Sequence, residues 1–391
     1  MLQFQYFLPT RLLFGPGVLD LLAETPFLPK GSKALIVMSS GGSMVRSGVL
    51  GRIQGLLSAR GVGSMVYDRV RPNPESEQVD EAAAVARDSG ADFLVGLGGG
   101  SPLDVARTAA SMARNPGRFW DYVQGGSGGK KTPENPPLPT VAIPTTAGTG
   151  SEMNCRAVIS KTGSSEKLAW GSEADFAALA VVDPDLTLTL PPRQTALTGL
   201  DAMFHAMEGF LSTRRQPITD LMALEAVHLV ANHLPKALAD GSDRAARTVL
   251  AWAATSGGIC LSQAGATAQH ALEHALSALR PDLPHAAGLV LLCRAFFRRL
   301  AEKAPDRFLE LSLALGCPEL EAGPEGFHRA LDRLLAEVGL GELKARDFGL
   351  DPSMAGLLAD NALATNERLI GLTPGGMDRA DLIIILEQSL S

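Results

Sequence analysis

The sequence predicts an α/β domain built on a parallel sheet, followed by an all-helical domain. Two observations carry this. Up to Asp183-Pro184, short apolar runs alternate with helix-length segments, the pattern of βαβ units. From Pro192 to Ser391 nearly every segment keeps helical periodicity, with Gly or Pro at the breaks. The boundary falls near 184, giving domains 1–183 and 184–391, and a chain of 391 residues is long enough for two cores.

The elements follow in order. The apolar residues of segment 4–14 suggest a strand able to pair across an interface. Residues 33–38 (KALIVM) read as a buried strand, ending in Ser39, Ser40, Gly41 and Gly42 and leading to the helix in GVLGRIQGLLSARG. Residues 64–67 form a second strand, followed by the turn RPNPES and a helix over about 75–89. Residues 93–96 run into Gly-Gly-Gly-Ser and another helix, and further strands are expected at 140–143, 157–159 and 179–182. The loop GGSGGKKTPENPP (125–137) reads as mobile. In the second half, the helix over 251–260 is expected to line a pocket, its small residues Ala253, Ala254, Gly257 and Gly258 leaving space.

Composition narrows the function. Hydrophobic residues make up 46% and charged residues 20%, and a net charge of −7 without like-charge runs argues against nucleic acid and anionic membrane surfaces as partners. No apolar stretch approaches the roughly 18 residues of a bilayer span, and no basic segment leads an apolar one at the N-terminus. Cys155, Cys260, Cys293 and Cys317 form no CxxC pair and read as buried small hydrophobes. The expectation is a cytoplasmic protein.

Two loops point to a dinucleotide. Gly98, Gly99, Gly100 and Ser101 follow a strand and open a helix, with Pro102 in its first turn and Asp104 just inside. Glycines admit a phosphate to the backbone, and a helix N-terminus offers free N–H groups. The spacing is not GxGxxG, and the bland alternative is a turn that merely needs glycine. A second loop, PTTAGTGSE (144–152), follows another strand; Thr145, Thr146, Thr149 and Ser151 offer hydroxyls while Gly148 and Gly150 permit the bends. Two such loops at strand C-termini of one sheet suit one dinucleotide crossing its edge.

Five residues suggest a metal. Asp201 and His205, then His270 and His274, are each spaced i,i+4 on predicted helices, which puts each pair on one face. His285 follows a proline at the start of another apolar run, and four of the chain's seven histidines fall in this set. A carboxylate with imidazoles suits a divalent ion of the Zn or Fe(II) kind; the alternative is a chance cluster of satisfied helix histidines.

Taken together, LFGPG (13–17), KALIV (33–37), RPNP (71–74), GGGSPLDVAR (98–107), AIPTTAGTGSE (142–152), VVDPDLTLTLPPRQTALTGLDAMFHAMEG (181–209), HALEHALSAL (270–279) and PHAAGL (284–289) resemble the iron-containing, or group III, alcohol dehydrogenases along nearly the whole chain. The resemblance implies the fold shared with dehydroquinate synthase-like enzymes, with the active site in the cleft between an NAD(P)-binding α/β domain and a metal-binding helical domain. Asp201, His205, His270 and His285 match the family's metal ligands, for Fe2+ or Zn2+, and His274 a further histidine placed to relay a proton. Gly98, Gly99, Gly100, Ser101, Pro102 and Asp104 match the pyrophosphate loop; Thr145, Thr146, Gly148 and Thr149 match the second nucleotide loop. Asn73, Asn154, Lys167, Leu186 and Leu188 align with other nucleotide-contacting positions. The implied partners are a small alcohol or aldehyde and a second copy of the chain, in a homodimer or higher homo-oligomer.

Departures from the family pattern sharpen the expectations. The segment from His274 to His285 is one residue longer than the family's, and Ala286 stands where glycine is common. Ser39, Ser40 and Gly41 stand where NAD-preferring members carry an acid, so nothing there repels a 2′-phosphate and NADP is expected to serve at least as well as NAD. An ordinary pKa near about 6.5 suits His274 to proton exchange. Arg156, just after the second loop, reads as half of a surface salt bridge; the alternative is that it points toward the substrate pocket, where it would favour an anionic or polyhydroxy substrate. Two other classes remain: a lyase-type synthase of the same fold using NAD transiently, which needs a pocket rich in Lys and Arg, and a non-catalytic metal or nucleotide binder.

Overall fold

In the computed structural model, which describes residues 3–391, the strands are β1 (Arg11–Phe14), β2 (Lys33–Ser39), β3 (Gly63–Val70), β4 (Phe93–Gly98), β5 (Thr140–Pro144), β6 (Ala157–Ser160), β7 (Lys167–Trp170) and β8 (Leu179–Val182). Six of them form a parallel sheet in the order β1-β8-β5-β4-β2-β3. Helices α1 (Ser43–Arg46), α2 (Val49–Ala59), α3 (Ser76–Ser89) and α4 (Gly100–Met112) belong to this half. Both sheet faces are covered, which is why β2 and β4 are continuous apolar runs rather than alternating ones. Successive residues serve opposite cores: Leu35, Val37 and Leu94 pack with Val79, Ala82 and Val105 of α3 and α4, while Ile36, Met38, Val95 and Ile143 pack with Ile53 and Leu57 of α2. The chain leaves β2 first outward to β3 and then returns to β4 on the other side. The loops after β2, β4 and β5 therefore open at the C-terminal edge where the order reverses, the usual crevice for a ligand.

Two strand expectations are corrected. Segment 157–159 does not join the main sheet; it pairs antiparallel with β7, whose four residues escaped the periodicity test. Within 4–14 only Arg11–Phe14 is a strand, pairing with β8 at the sheet edge. Ahead of it the backbone bonds to a side chain instead: Gln263 accepts from the Phe7 N–H (3.1 Å) and donates to the Phe7 carbonyl (2.8 Å). The loop 125–137 contains no helix or strand, yet it is pinned, with Asn115 Oδ1 accepting from the N–H groups of Glu134 and Asn135 at 2.9 Å.

After a turn at Pro184–Thr187 every element is helical: α5 (Pro192–Leu211), α6 (Pro217–Ala239), α7 (Arg244–Ala264), α8 (Ala268–Leu279), α9 (His285–Lys303), α10 (Phe308–Ala314), α11 (Pro324–Glu337), α12 (Ala355–Ile370) and α13 (Arg379–Ser389), with short 3-10 turns between some of them. Helix α5 opens with Pro192, whose missing N–H costs nothing in a first turn, and is buried at every residue from Thr195 on. Its apolar residues pack inward on every side, and α6 and α7 pack against α5 through one continuous core that includes Phe204, Phe210 and Leu234, leaving Asp201, His205 and Glu208 as buried polar exceptions.

Candidate active site

A cavity of about 1080 Å3 lies where the C-terminal edge of the sheet meets the helical half. One wall carries Ser39, Asn73, Gly98, Gly99, Gly100, Ser101, Pro102, Thr145, Thr146, Thr149, Asn154, Lys167 and Leu186; the other carries Asp201, His205, His270, His274 and His285. The two halves of the reading thus meet in one place. Ser40, Gly41, Gly148 and Leu188 are not among the lining residues.

Helices α5, α8 and α9 bring Asp201, His205, His270 and His285 together so that one donor atom of each lies within 4.8 Å of the others. Asp201 Oδ1 stands 3.8 Å from His205 Nδ1 and 3.7 Å from His285 Nε2. Four donors about 2.1 Å from a tetrahedral ion would lie about 3.4 Å apart, so the set needs little adjustment to hold one. Asp201 Oδ1, His205 Nδ1 and His270 Nε2 are buried with no hydrogen-bond partner. Each such atom left bare costs about 1–3 kcal/mol, and three facing one another fit a cation that all of them bind. Burial, only partly opposed by Asp201, depresses the His205 pKa to about 4, leaving the neutral ring that a metal requires.

Two carboxylates absent from the sequence reading orient this set. Glu208 bonds His270 Nδ1, and its other oxygen accepts from the N–H of Thr267 at 2.6 Å and from its hydroxyl at 2.5 Å. Burial pulls the His270 pKa down, but the charge and hydrogen bond of Glu208, together with the charges of Asp201 and Glu273, outweigh it and the net shift is upward. Glu273 bonds His285 Nδ1 and lies 3.4 Å from Lys167 Nζ. Burial works to raise the Glu273 pKa, yet His285 and Lys167 hold it far below the usual carboxylate range. Each carboxylate fixes which ring nitrogen of its histidine faces the centre. Their signal was present in the sequence: Glu208 lies on the stripe of Asp201 and His205, and Glu273 three residues after His270.

His274 differs in kind. Its Nδ1 bonds Asn366 Oδ1 at 3.0 Å, while Asn366 Nδ2 donates to the Lys167 carbonyl (3.3 Å) and to Thr365 Oγ1 (2.8 Å). A carbonyl only accepts, so the amide orientation is fixed, Nδ1 carries the hydrogen, and Nε2 keeps its lone pair. Asn366 owes its aim to a break in α12, where its φ of −129° and ψ of 28° leave the helical range. Contrary to the expectation of an ordinary imidazole, burial and the nearby Lys167 charge push the His274 pKa well below 6.5. The resting ring is neutral.

The residues on the sheet side of the cavity make specific contacts. The two loops touch: a Cβ on Gly100 would come within 2.8 Å of Thr149 Cγ2, and the Thr145 N–H donates to the Gly98 carbonyl at 2.8 Å. Asp104 spends its carboxylate on protein, accepting from Ser151 Oγ (2.7 Å), the Val158 N–H (2.8 Å) and the buried Arg107 (3.1 Å). Lys167 Nζ donates to Asn73 Oδ1 (2.9 Å) and Ser277 Oγ (2.8 Å), and Asn73 Nδ2 donates to the Pro281 carbonyl (2.9 Å), so this pair also links the two walls. The small residues of 251–260 do not leave space in the pocket. A Cβ on Gly257 would come within 2.8 Å of the Ala202 carbonyl and one on Gly258 within 2.3 Å of the Gly150 carbonyl, so both are consumed by packing. The cavity is lined instead by Leu261, Ser262 and Gln263, one turn on. Arg156 also lines the cavity rather than forming a salt bridge, together with Arg214 and Arg368, which the sequence reading missed.

Known proteins are similar to this chain in sequence and in fold. The family model described as iron-containing alcohol dehydrogenase matches residues 9–184, and that of the Fe-containing alcohol dehydrogenase family, C-terminal, matches 195–390. The 1,3-propanediol dehydrogenase of Citrobacter freundii is 31% identical over 366 residues, 92% of each chain. A probable NADH-dependent butanol dehydrogenase 2 of Bacillus subtilis is 30% identical over 406 aligned positions covering 100% of both. The crystal structure of an archaeal halo-thermophilic Red Sea brine pool alcohol dehydrogenase, bound to NZQ, superposes with a TM-score of 0.94 at 27% identity, again over 100% of both chains. Among the described residues no helix is long and apolar enough to cross a membrane. The chain belongs to the iron-containing alcohol dehydrogenase family, and is a nicotinamide-linked oxidoreductase acting on CH–OH donors.

Proposed function

We propose that this chain interconverts a small alcohol and its aldehyde with Asp201, His205, His270 and His285 as ligands of one Fe2+ or Zn2+ ion, and with the loops Gly98–Pro102 and Thr145–Thr149 holding the dinucleotide of an α/β domain that ends near 184. The observation that carries it is the trio of buried, unpartnered donors, Asp201 Oδ1, His205 Nδ1 and His270 Nε2, at the wall facing those loops. When bound, the ion supplies Lewis acidity toward a substrate oxygen and the nicotinamide supplies the hydride. The protein supplies position and a proton path. Glu208 and Glu273 hold two rings in register, the apolar surround of Leu186 and Leu197 keeps bulk water off the reacting carbon, and His274 Nε2, neutral at rest, takes or returns the proton of the hydroxyl. A synthase or a non-catalytic binder would show no net turnover of reduced nicotinamide. The test is the absorbance of the reduced cofactor with a panel of aldehydes, paired with elemental analysis of His270→Ala. No turnover on any aldehyde, or undiminished metal in the variant, refutes the assignment.

NADPH is expected to serve at least as well as NADH. The turn after β2 holds no acid, and Arg46 folds over it, its Nη1 only 2.9 Å from where a Gly42 Cβ would be. A tenfold NADH preference in kcat/KM, about 1.4 kcal/mol, would count against this. For assembly we propose a homodimer or higher oligomer through the N-terminal half, on the support of the edge strand β1 and the exposed Phe4 and Phe7 ahead of it. Sedimentation as a monomer at micromolar concentration would overturn it. A cytoplasmic site is supported by four cysteines that are all free and buried.

A further inference from the structure

The substrate end of the cavity carries a charge pattern that hydride transfer does not require. Arg156 stands just ahead of β6, Arg214 in the turn after α5, and Arg368 two residues past the break in α12, and all three line the cavity that contains His270 and His274. Neighbouring arginines are paired: Arg107 with Asp104, Arg215 with Asp220, Arg379 with Asp360. Among the described residues the guanidinium groups of Arg156, Arg214 and Arg368 form no ion pair and donate no hydrogen bond, although the carboxylate of Glu173 lines the same cavity. Burial of part of its side chain first, and then the charges of Arg156 and Arg214, depress the pKa of Arg368, which keeps an exposed edge, so Arg368 lies within reach of both other charges. Like charges gathered without a partner cost free energy, and an anion placed among them removes that cost.

We propose that the substrate is a short aldehyde, or the matching alcohol, whose far end bears an oxyanion gripped by Arg156, Arg214 and Arg368 while its carbonyl end reaches the Asp201, His205, His270 and His285 cluster. The proposal rests on the dehydrogenase reading of that cluster. Guanidinium forks match the oxygens of a carboxylate, sulfonate or phosphonate, and their cations give an anionic substrate a local attraction on a chain whose net charge is −7. Reduction delivers hydride from NAD(P)H to the carbonyl carbon and a proton to its oxygen, leaving NAD(P)+ and a hydroxy acid with the oxyanion untouched. A basic pocket is also the mark of a synthase, but the matched families are dehydrogenases, so the arginines bear on substrate charge and not on reaction class.

Steady-state kinetics on the metal-loaded full chain compare 4-oxobutanoate with butanal, and then two-carbon aldehydes bearing a sulfonate or a phosphonate. The expected result is a kcat/KM at least tenfold higher for 4-oxobutanoate than for butanal. That ratio is expected to fall tenfold or more in Arg368→Gln and in Arg214→Gln, through KM, and to shrink with added salt in the wild type. The ranking among the three oxyanions identifies the head group. Butanal reduced as well as 4-oxobutanoate overturns the anion proposal alone. So do variants that raise KM for the nucleotide equally with both aldehydes, which would assign the arginines to the cofactor. Failure to reduce any aldehyde with metal bound overturns the dehydrogenase reading and this proposal together.

Discussion

Glu208 has no exposed surface and touches no substrate space, yet it decides how His270 stands. Its two oxygens are divided between the ring Nδ1 and the Thr267 N–H and hydroxyl, so the ring is held from behind and from the start of its own helix. Replacing it with Gln keeps the shape but removes the charge that favours this arrangement. Glu208→Gln is expected to weaken metal affinity about 10–100-fold, read by competition with a chelator, with little change in the fold. A variant that holds metal as tightly as the wild type would show that the ring is oriented by packing alone. Asp201, His205, His270 and His274 were legible because i,i+4 spacing is a property of one helix, and His285 because it follows a proline at the start of an apolar run. Glu208 and Glu273 lie on the same stripes, but which histidine each orients was not legible, because that partner sits on another helix, and the break that turns Asn366 inward leaves no mark in the periodicity.

At the scale of elements, α7 meets the second nucleotide loop with no space between them. Gly258 lies against Gly150, whose φ of 58° already favours glycine, and neither tolerates a side chain. Gly258→Ala is expected to cost about 1–3 kcal/mol of stability, read by urea denaturation, and to weaken nucleotide binding because the displaced loop carries Thr145 and Thr149. A fully stable variant with intact nucleotide affinity would show that the loop yields freely. The same helix shows where sequence reading failed. Small residues on an amphipathic helix suit an open pocket and a close helix contact equally well, and only the position of α5 and Gly150 decides between them. Strand β7 was lost for a related reason: KLAW opens on a lysine and offers no unbroken apolar run, and nothing local shows that Glu273 and Ser277 lie beside Lys167. The parallel strands β2, β4 and β5, by contrast, were legible as unbroken apolar runs.

Across the whole molecule, the two halves are joined at the site rather than merely beside it. Lys167 and Asn73 from the first half reach Glu273, Ser277 and the Pro281 carbonyl, so the segment that presents His285 is tied to the sheet domain. The α/β order and the helical half were both evident in the sequence, but this tie was not, since its partners lie 106 to 208 positions apart. The unpartnered donors at the centre carry a further consequence for the protein's abundance. An ion that binds only the folded chain adds about 2.7 kcal/mol at a concentration a hundredfold above its Kd, enough to raise Tm by roughly 3 °C in a chain of 391 residues, and stripping it with a chelator should reverse the gain in full. Metal titration followed by scanning calorimetry checks this, and an unmoved Tm would contradict it. Folded copies then become a readout of supply: in a metal-starved cell the enzyme would be lost first as activity, when the ion leaves, and then as protein, through proteolysis, so its level would track the free ion as well as its own synthesis.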